Sequence, residues 1–140
     1  MIEIKRLTQD DVNLVTEIVS RFWPQGKLNG DFLKKDSNHL LVAYVEGNLA
    51  GFLYAYELER IETDKPMMFF YSIDVLPEYH RKGIGKRLIS ELKLICSERH
   101  VSKMYVLTDE ANVAAMKLYE STGGLRQSPD SLLFLYKEWV

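Results

Sequence analysis

The run His80-Arg81-Lys82-Gly83-Ile84-Gly85-Lys86-Arg87 combines two glycines with four basic side chains and a histidine. An apolar stretch precedes it and a helical pattern follows, so it sits where a strand hands over to a helix. Glycines there let the main chain come close to a ligand. The first N–H groups of a helix lack intrahelical acceptors, and the dipole at that end favours an anion. Together these features can cradle a pyrophosphate. Arg81, Lys82, Lys86 and Arg87 add local positive charge to a chain whose formal net charge is −2. Two commoner phosphate motifs are excluded: the third glycine of a dinucleotide fingerprint is absent, and so is Gly-Lys-Ser/Thr. A turn with solvated basic neighbours accounts for the same residues equally well.

A second group lies in Asn112-Val113-Ala114-Ala115-Met116-Lys117-Leu118-Tyr119, followed by Gly123-Gly124. On a helix, Asn112, Ala115 or Met116, and Tyr119 lie close to one face. The alanine permits close approach, the amide suits an amide-rich ligand, and the phenol can donate a proton. Taken alone, Tyr119 reads better as a half-buried core aromatic.

The elements that must position these groups are legible in outline. Ile2 and Ile4 mark a first strand, and Val12, Val15, Ile18, Val19 and Phe22 a helix introduced by Thr8 and Asp11. Leu28 to Asp36 suits a short helix or an irregular arm. Leu40–Val45 and Gly51–Leu58 form a hairpin about Gly47-Asn48. Met67–Val75, the most continuously apolar run, is expected to be a central strand covered on both faces. Ile84, Leu88, Leu92 and Ile95 define a helix, Lys103–Thr108 a parallel strand after it, and Val113–Ser121 a helix ended by Gly123-Gly124. Leu132–Glu138 is the last expected strand. The order implies a mixed sheet with helices on its faces.

The 140 residues, 46% hydrophobic and 27% charged, suit one domain over 1–140. No run approaches the roughly 20 apolar residues of a membrane span, and no secretory signal is legible, so a cytoplasmic location is expected. Cys96 is the single cysteine, and His39, His80 and His100 are scattered, so no metal is expected. The acidic balance argues against nucleic acid. Cys96, Trp23 and Trp139 read as packing residues.

The segment Ile73-Asp74-Val75-Leu76-Pro77-Glu78-Tyr79-His80-Arg81-Lys82-Gly83-Ile84-Gly85 resembles the signature of the GCN5-related N-acetyltransferase (GNAT) superfamily, with His80 where Arg or Gln usually stands. Asn112 to Tyr119 resembles that family's Asn-x-x-Ala-x-x-Leu-Tyr. Two motifs in the right order are far more specific than either. The resemblance covers essentially the whole chain and implies an α/β (α+β) fold, with a mixed, mostly antiparallel sheet of about six strands and helices on both faces. It implies acetyl-CoA as donor, with the pyrophosphate held by backbone amides of the turn, through Arg81, Lys82, Gly83, Ile84, Gly85 and Lys86. Asn112 would contact the pantetheine arm, and Tyr119 would protonate the leaving thiolate. A bulge over Ile73 to Val75 would splay the central strand from the next and admit the arm, with the Val75 N–H polarising the thioester carbonyl.

Candidate proton acceptors are Asp109, Glu110, Glu57 and Asp74. Asp109 is preferred because its strand ends beside the implied acceptor pocket, although each also reads as a solvated acid. From Gly51 to about Tyr119 the chain is similar to the gentamicin 3-N-acetyltransferase branch. Its acids, Glu57, Glu59, Glu62, Asp64, Asp109 and Glu110, would suit a polycationic aminoglycoside. Ser72, Asn112 and Val113 depart from that branch. The expected acceptor is therefore a primary amine on a small, cationic molecule. A protein or peptide acetyltransferase and an acyl-CoA-binding regulatory module without turnover are the alternatives. A homodimer is one assembly the resemblance suggests.

Overall fold

Burying two sets of alternating apolar residues requires a sheet with cover on both faces, and the chain provides it. The computed structural model describes residues 1–127 and 133–139. Its elements are β1 (Ile2–Arg6), α1 (Val12–Phe22), a 3₁₀ turn (Phe32–Lys34), β2 (Asn38–Val45), β3 (Asn48–Leu58), β4 (Met67–Val75), a second 3₁₀ turn (Pro77–Tyr79), α2 (Ile84–Glu98), β5 (Lys103–Val106) and α3 (Val113–Ser121). The strands run in the order β1-β2-β3-β4-β5. The first three pairings are antiparallel and β4–β5 is parallel. Among the described residues no helix is long and apolar enough to cross a membrane.

The expected mixed, mostly antiparallel α/β sheet is present, with five strands among the described residues rather than about six. The difference lies at the C-terminus. Leu132 is outside the described residues, and 133–138 pair with nothing in the sheet. Leu133, Phe134, Leu135 and Tyr136 are 75–81% exposed. Strand-like composition makes a strand only where a ladder partner takes its N–H and C=O groups. The β2–β3 hairpin turns one residue earlier than expected. Val45 pairs with Asn48, so Glu46 (φ 49°) and Gly47 (φ 81°) are the central residues. Both carry the positive φ of the turn that matches strand twist. At α1 the cap is Asp11 rather than Thr8; its Oδ2 accepts the Thr8 N–H at 2.8 Å.

Two cores result. On one face Leu41, Ala43, Leu53, Ala55, Met68 and Phe70 meet Ile84, Leu88, Ile89, Leu92 and Ile95 of α2. On the other, Leu40, Val42 and Phe52 meet Leu7 and Ile18, with Phe22, Trp23 and Phe32 packed around them. The strands covered on both faces are therefore β2 and β3. In β4, Met68 and Phe70 are buried, but Tyr71 on the α1 side is 52% exposed. The expectation of a doubly covered Met67–Val75 is thus corrected: its apolar residues face a helix on one side only.

At Gly51, opposite Val75, an added Cβ would lie 2.8 Å from the Asp74 carbonyl oxygen. Gly51→Ala should cost about 1–3 kcal/mol by overpacking, read as a lower denaturation midpoint at unchanged m-value. A second expectation concerns Tyr54, whose phenol burial pushes up to about 12, with Tyr56 and Tyr71 adding to the shift. The unfolded phenol ionises near pH 10. The stabilisation is therefore complete below about pH 10 and is lost as pH rises towards 12. The melting temperature should fall across that window, and fall less in Tyr54→Phe.

Candidate active site

Where β4 loses its parallel partner, the sheet opens. Pairing of β4 with β5 runs only from Met67↔Lys103 to Phe70↔Val106. On the other side, β4 stays with β3 as far as Gly51↔Val75, but the register jumps from Ala55↔Phe70 to Tyr54↔Ser72. Tyr71 is thus the extra residue of a bulge, which bends and twists the strand at that point. The expected splay is present, and the expected bulge is displaced from Ile73–Val75 to Tyr71. From Tyr71 to Val75 the β5-facing edge carries no ladder among the described residues.

Leu76 donates its N–H to the Ala50 carbonyl at 2.8 Å, so alternation turns the Val75 N–H and C=O into the gap. Ile73 shares that orientation by the period of two. Local side chains meet the Val75 groups. Its N–H donates to Asp74 Oδ1 at 2.8 Å, and its carbonyl accepts from His80 Nε2 at 2.7 Å. His80, the departure from the family signature, therefore ties the turn to the end of β4.

The turn itself is built by one glycine rather than two. Gly83 caps α2 with φ 76°, no side chain caps the helix, and a Cβ at Gly83 would meet nothing within 4 Å. Arg87 N–H to the Gly83 carbonyl, at 3.1 Å, is the first bond of the ladder. The N–H groups of Ile84, Gly85 and Lys86 consequently have no intrahelical acceptor. Gly85 serves packing instead: its Cβ would fall 3.1 Å from Leu118 Cδ2 of α3. Arg81, Lys82 and Lys86 are exposed and enter no ion pair among the described residues. Arg87 is turned to the Ile2 carbonyl at 3.0 Å. The open space, free amides and unpaired cations fit a diphosphate.

From the other end, α3 brings Tyr119 to the apex of the gap. Its ring packs edge-on against Phe70 at 5.5 Å, the last β4 residue paired with β5. Gly123, at φ 97°, and the Gly124 N–H bond to the Tyr119 carbonyl at 2.8 Å lock the end of that helix, in the pattern expected of a left-handed cap. Burial raises the Tyr119 phenol above its usual range, so it keeps its proton at neutral pH. Asn112 caps the start of α3, its Oδ1 accepting the Ala115 N–H at 3.1 Å.

The acids are not gathered. Glu57 is a part-buried member of an ion-pair cluster, 2.6 Å from His39 Nε2 and bonded by Arg99 Nε. It stands opposite Met68, at the end of β4 remote from Val75. This assigns it a structural task. Glu62 pairs with Arg60 at 3.6 Å, and Glu110 with Arg126. Asp109 Oδ1 accepts the Asn112 N–H at 3.2 Å, which places it in the turn that leads from β5 into α3. Its loop and that of Glu59, Glu62 and Asp64 lie at opposite ends of β5. The Cys96 thiol, pushed up to about 11 by burial and then by Glu57, stays protonated and serves packing.

What sequence reasoning passed over is aromatic. A cavity of about 560 Å³ opens between α1, the arm after it and the sheet, with Phe22, Trp23, Phe32, Tyr54 and Tyr56 in its lining. Tyr71 stands 5.1 Å from Tyr54 and 5.5 Å from Tyr56, ring to ring. The period-two recurrence of Tyr54 and Tyr56, and of Phe69 and Tyr71, was the available signal.

Residues 9–124 match the profile of the acetyltransferase (GNAT) family. The N-alpha-acetyltransferase RimI of Mycobacterium tuberculosis (strain ATCC 25618 / H37Rv) is 31% identical over 137 residues, covering 90% of this chain and 82% of that protein. The chain spans about half the length of the ribosomal protein bS18-alanine N-acetyltransferase of Escherichia coli (strain K12), 30% identical over 73 residues that make up 48% of that protein. Among solved structures, an aminoglycoside acetyltransferase, meta-AAC0020, from an uncultured soil metagenomic sample superposes with a TM-score of 0.84 at 22% identity, covering 99% of this chain and 97% of that one. At that identity the likeness concerns the fold. With its two motifs on a split sheet edge and the profile match over most of its length, the chain belongs to the acetyltransferase (GNAT) family.

Proposed function

We propose that this chain transfers the acetyl group of acetyl-CoA directly to a primary amine, with the donor's arm along the open edge of β4. The observation that carries this reading is that the ladder ends at Phe70 against the Tyr119 ring, while free amides wait at the Gly83 turn. Acetyl-CoA supplies a thioester whose carbonyl the neutral amine attacks; the C–N bond forms and the C–S bond breaks. Arg81, Lys82 and Lys86, with the amides of Ile84, Gly85 and Lys86 aimed outward by Gly83, hold the diphosphate. The main chain of Ile73 and Val75 pairs with the amide groups of the arm, and the Asn112 side-chain NH₂ reaches it from α3.

Tyr119 gives its proton to the departing sulfur. Asp109, directly or through water, takes the proton the amine releases. The Val75 N–H polarises the thioester carbonyl. Because that N–H has one hydrogen and donates it to Asp74 Oδ1 in this structure, the Asp74 carboxylate turns aside when the donor is in place.

Two acceptor classes compete. An aminoglycoside would be an amine of the kind acted on by the structural relatives, whereas the likeness to an N-alpha-acetyltransferase over 90% of the chain favours a peptide α-amine. Purified protein with acetyl-CoA and a panel of both, followed by free-thiol release, tests the reading. Donor binding without release of thiol to any amine would instead mark a regulatory module.

Tyr119→Phe should lower kcat by about 10²-fold or more, with the KM for acetyl-CoA within about twofold, since the ring packing on Phe70 is kept. An unchanged kcat removes Tyr119 from the chemistry. Gly83→Asp should weaken CoA binding by at least about tenfold, measured by calorimetry, through a strained positive φ and a carboxylate facing the diphosphate.

A further inference from the structure

The cavity beside α1 bears on what the acceptor carries next to its amine. Its aromatic floor is continuous: Trp23 lies 6.0 Å from Tyr54, and Phe32 lies 5.6 Å from Tyr54 and 5.7 Å from Tyr56. Tyr54 and Tyr56 both touch Tyr71, and Tyr71 is the bulge residue at the head of the gap. On the opposite face, α2 and α3 close the approach, with Leu118 against Gly85 and Tyr119 against Phe70. An acceptor must therefore come to the gap over Tyr71, and the cavity is the space next to its path.

The chemistry of the walls is one-sided. Among the described residues lining the cavity there is no aspartate or glutamate, and one charged side chain, Lys27. An ammonium group moved there would find no anion, only ring faces that replace part of its hydration, and a polycation would have to strip several such groups, whereas an apolar side chain would gain by leaving water. The volume of about 560 Å³ lies within the range of small-ligand sites, roughly 300–1,000 Å³.

We infer that this cavity seats a large, uncharged, aromatic or branched apolar group borne next to the acceptor's primary amine, so that the enzyme selects such amines over polycations. The inference rests on the acetyl-transfer reading above and names its acceptor class. The shared chemistry is found in a free arylalkylamine and in a peptide with a large apolar N-terminal residue.

The test compares kcat/KM for acetyl transfer to 2-phenylethylamine, a Phe-initiated tripeptide, a Gly-initiated tripeptide, spermidine and an aminoglycoside. At least one aromatic acceptor should exceed the Gly-initiated peptide and both polycations by tenfold or more; which aromatic one leads identifies the source. In parallel, N-acetyl-2-phenylethylamine is titrated without donor while Trp23 emission is followed, in a Trp139→Phe background. Saturation in that background and its loss in Tyr54→Leu are expected, with the CoA affinity of Tyr54→Leu retained as evidence of folding. Asn29→Asp, which adds one carboxylate to the lining, should narrow the aromatic preference severalfold.

Polycations turned over as well as or better than aromatic amines would overturn the inference and leave the acetyl-transfer reading standing. The absence of transfer to any amine, with donor bound, would overturn both.

Discussion

A β-strand that loses its neighbour halfway leaves a row of main-chain donors and acceptors with nowhere to go, and the site is organised around that vacancy. β4 is held by β3 along its whole length, but by β5 only up to Phe70. The Tyr71 bulge lets one strand serve both purposes, because the added twist carries the rest of β4 away from β5. Unpaired edges ordinarily invite another chain. Here the edge is short and is partly quenched by Asp74 and His80 through bonds to Val75. A ligand rich in amides can take the remaining positions without any dedicated side-chain machinery.

The two glycines at the head of α2 divide their work, and the division follows from what a methyl group would meet. At Gly83 it would meet open space, and the requirement is a left-handed backbone that aims free amides outward. At Gly85 it would meet Leu118, and the requirement is close approach of α3. The second contact matters to the first motif's partner, since it sets the position of the helix that presents Tyr119. The start of α2 and the helix that carries Tyr119 are thus tied together by this contact, and by Lys93 Nζ donating to the Thr122 carbonyl at 2.8 Å, although they are distant in sequence.

Charge and aromatic character are also partitioned by the sheet. Of the acidic side chains that suggest a polycation pocket, Glu57 is held by His39 and Arg99, Glu62 by Arg60 and Glu110 by Arg126. The α1 side of β3 and β4 carries instead a row of rings from Trp23 to Tyr71. Because α1 covers only part of that face, the row is partly exposed, and it leads to the split edge.

Local patterns sufficed for much of this. The periodicity of apolar residues placed α1, β4, α2 and α3 closely, because burial on one helix face or in one strand leaves its mark within a dozen residues. The family signature, the Gly83 turn and the Gly123-Gly124 cap were legible because each depends on backbone conformations few residues adopt. Pairing was not legible. Leu132–Glu138 has the composition of a strand, yet residues 133–138 lack a ladder, and the β4 bulge fell at Tyr71 because register is set by partners across the sheet. For the same reason, the pairing of Glu57 with Arg99, remote in sequence, leaves no mark in the local pattern. The aromatic cavity arises where α1, its following arm and β3 converge, so only the assembled fold could decide what stands next to the reacting edge.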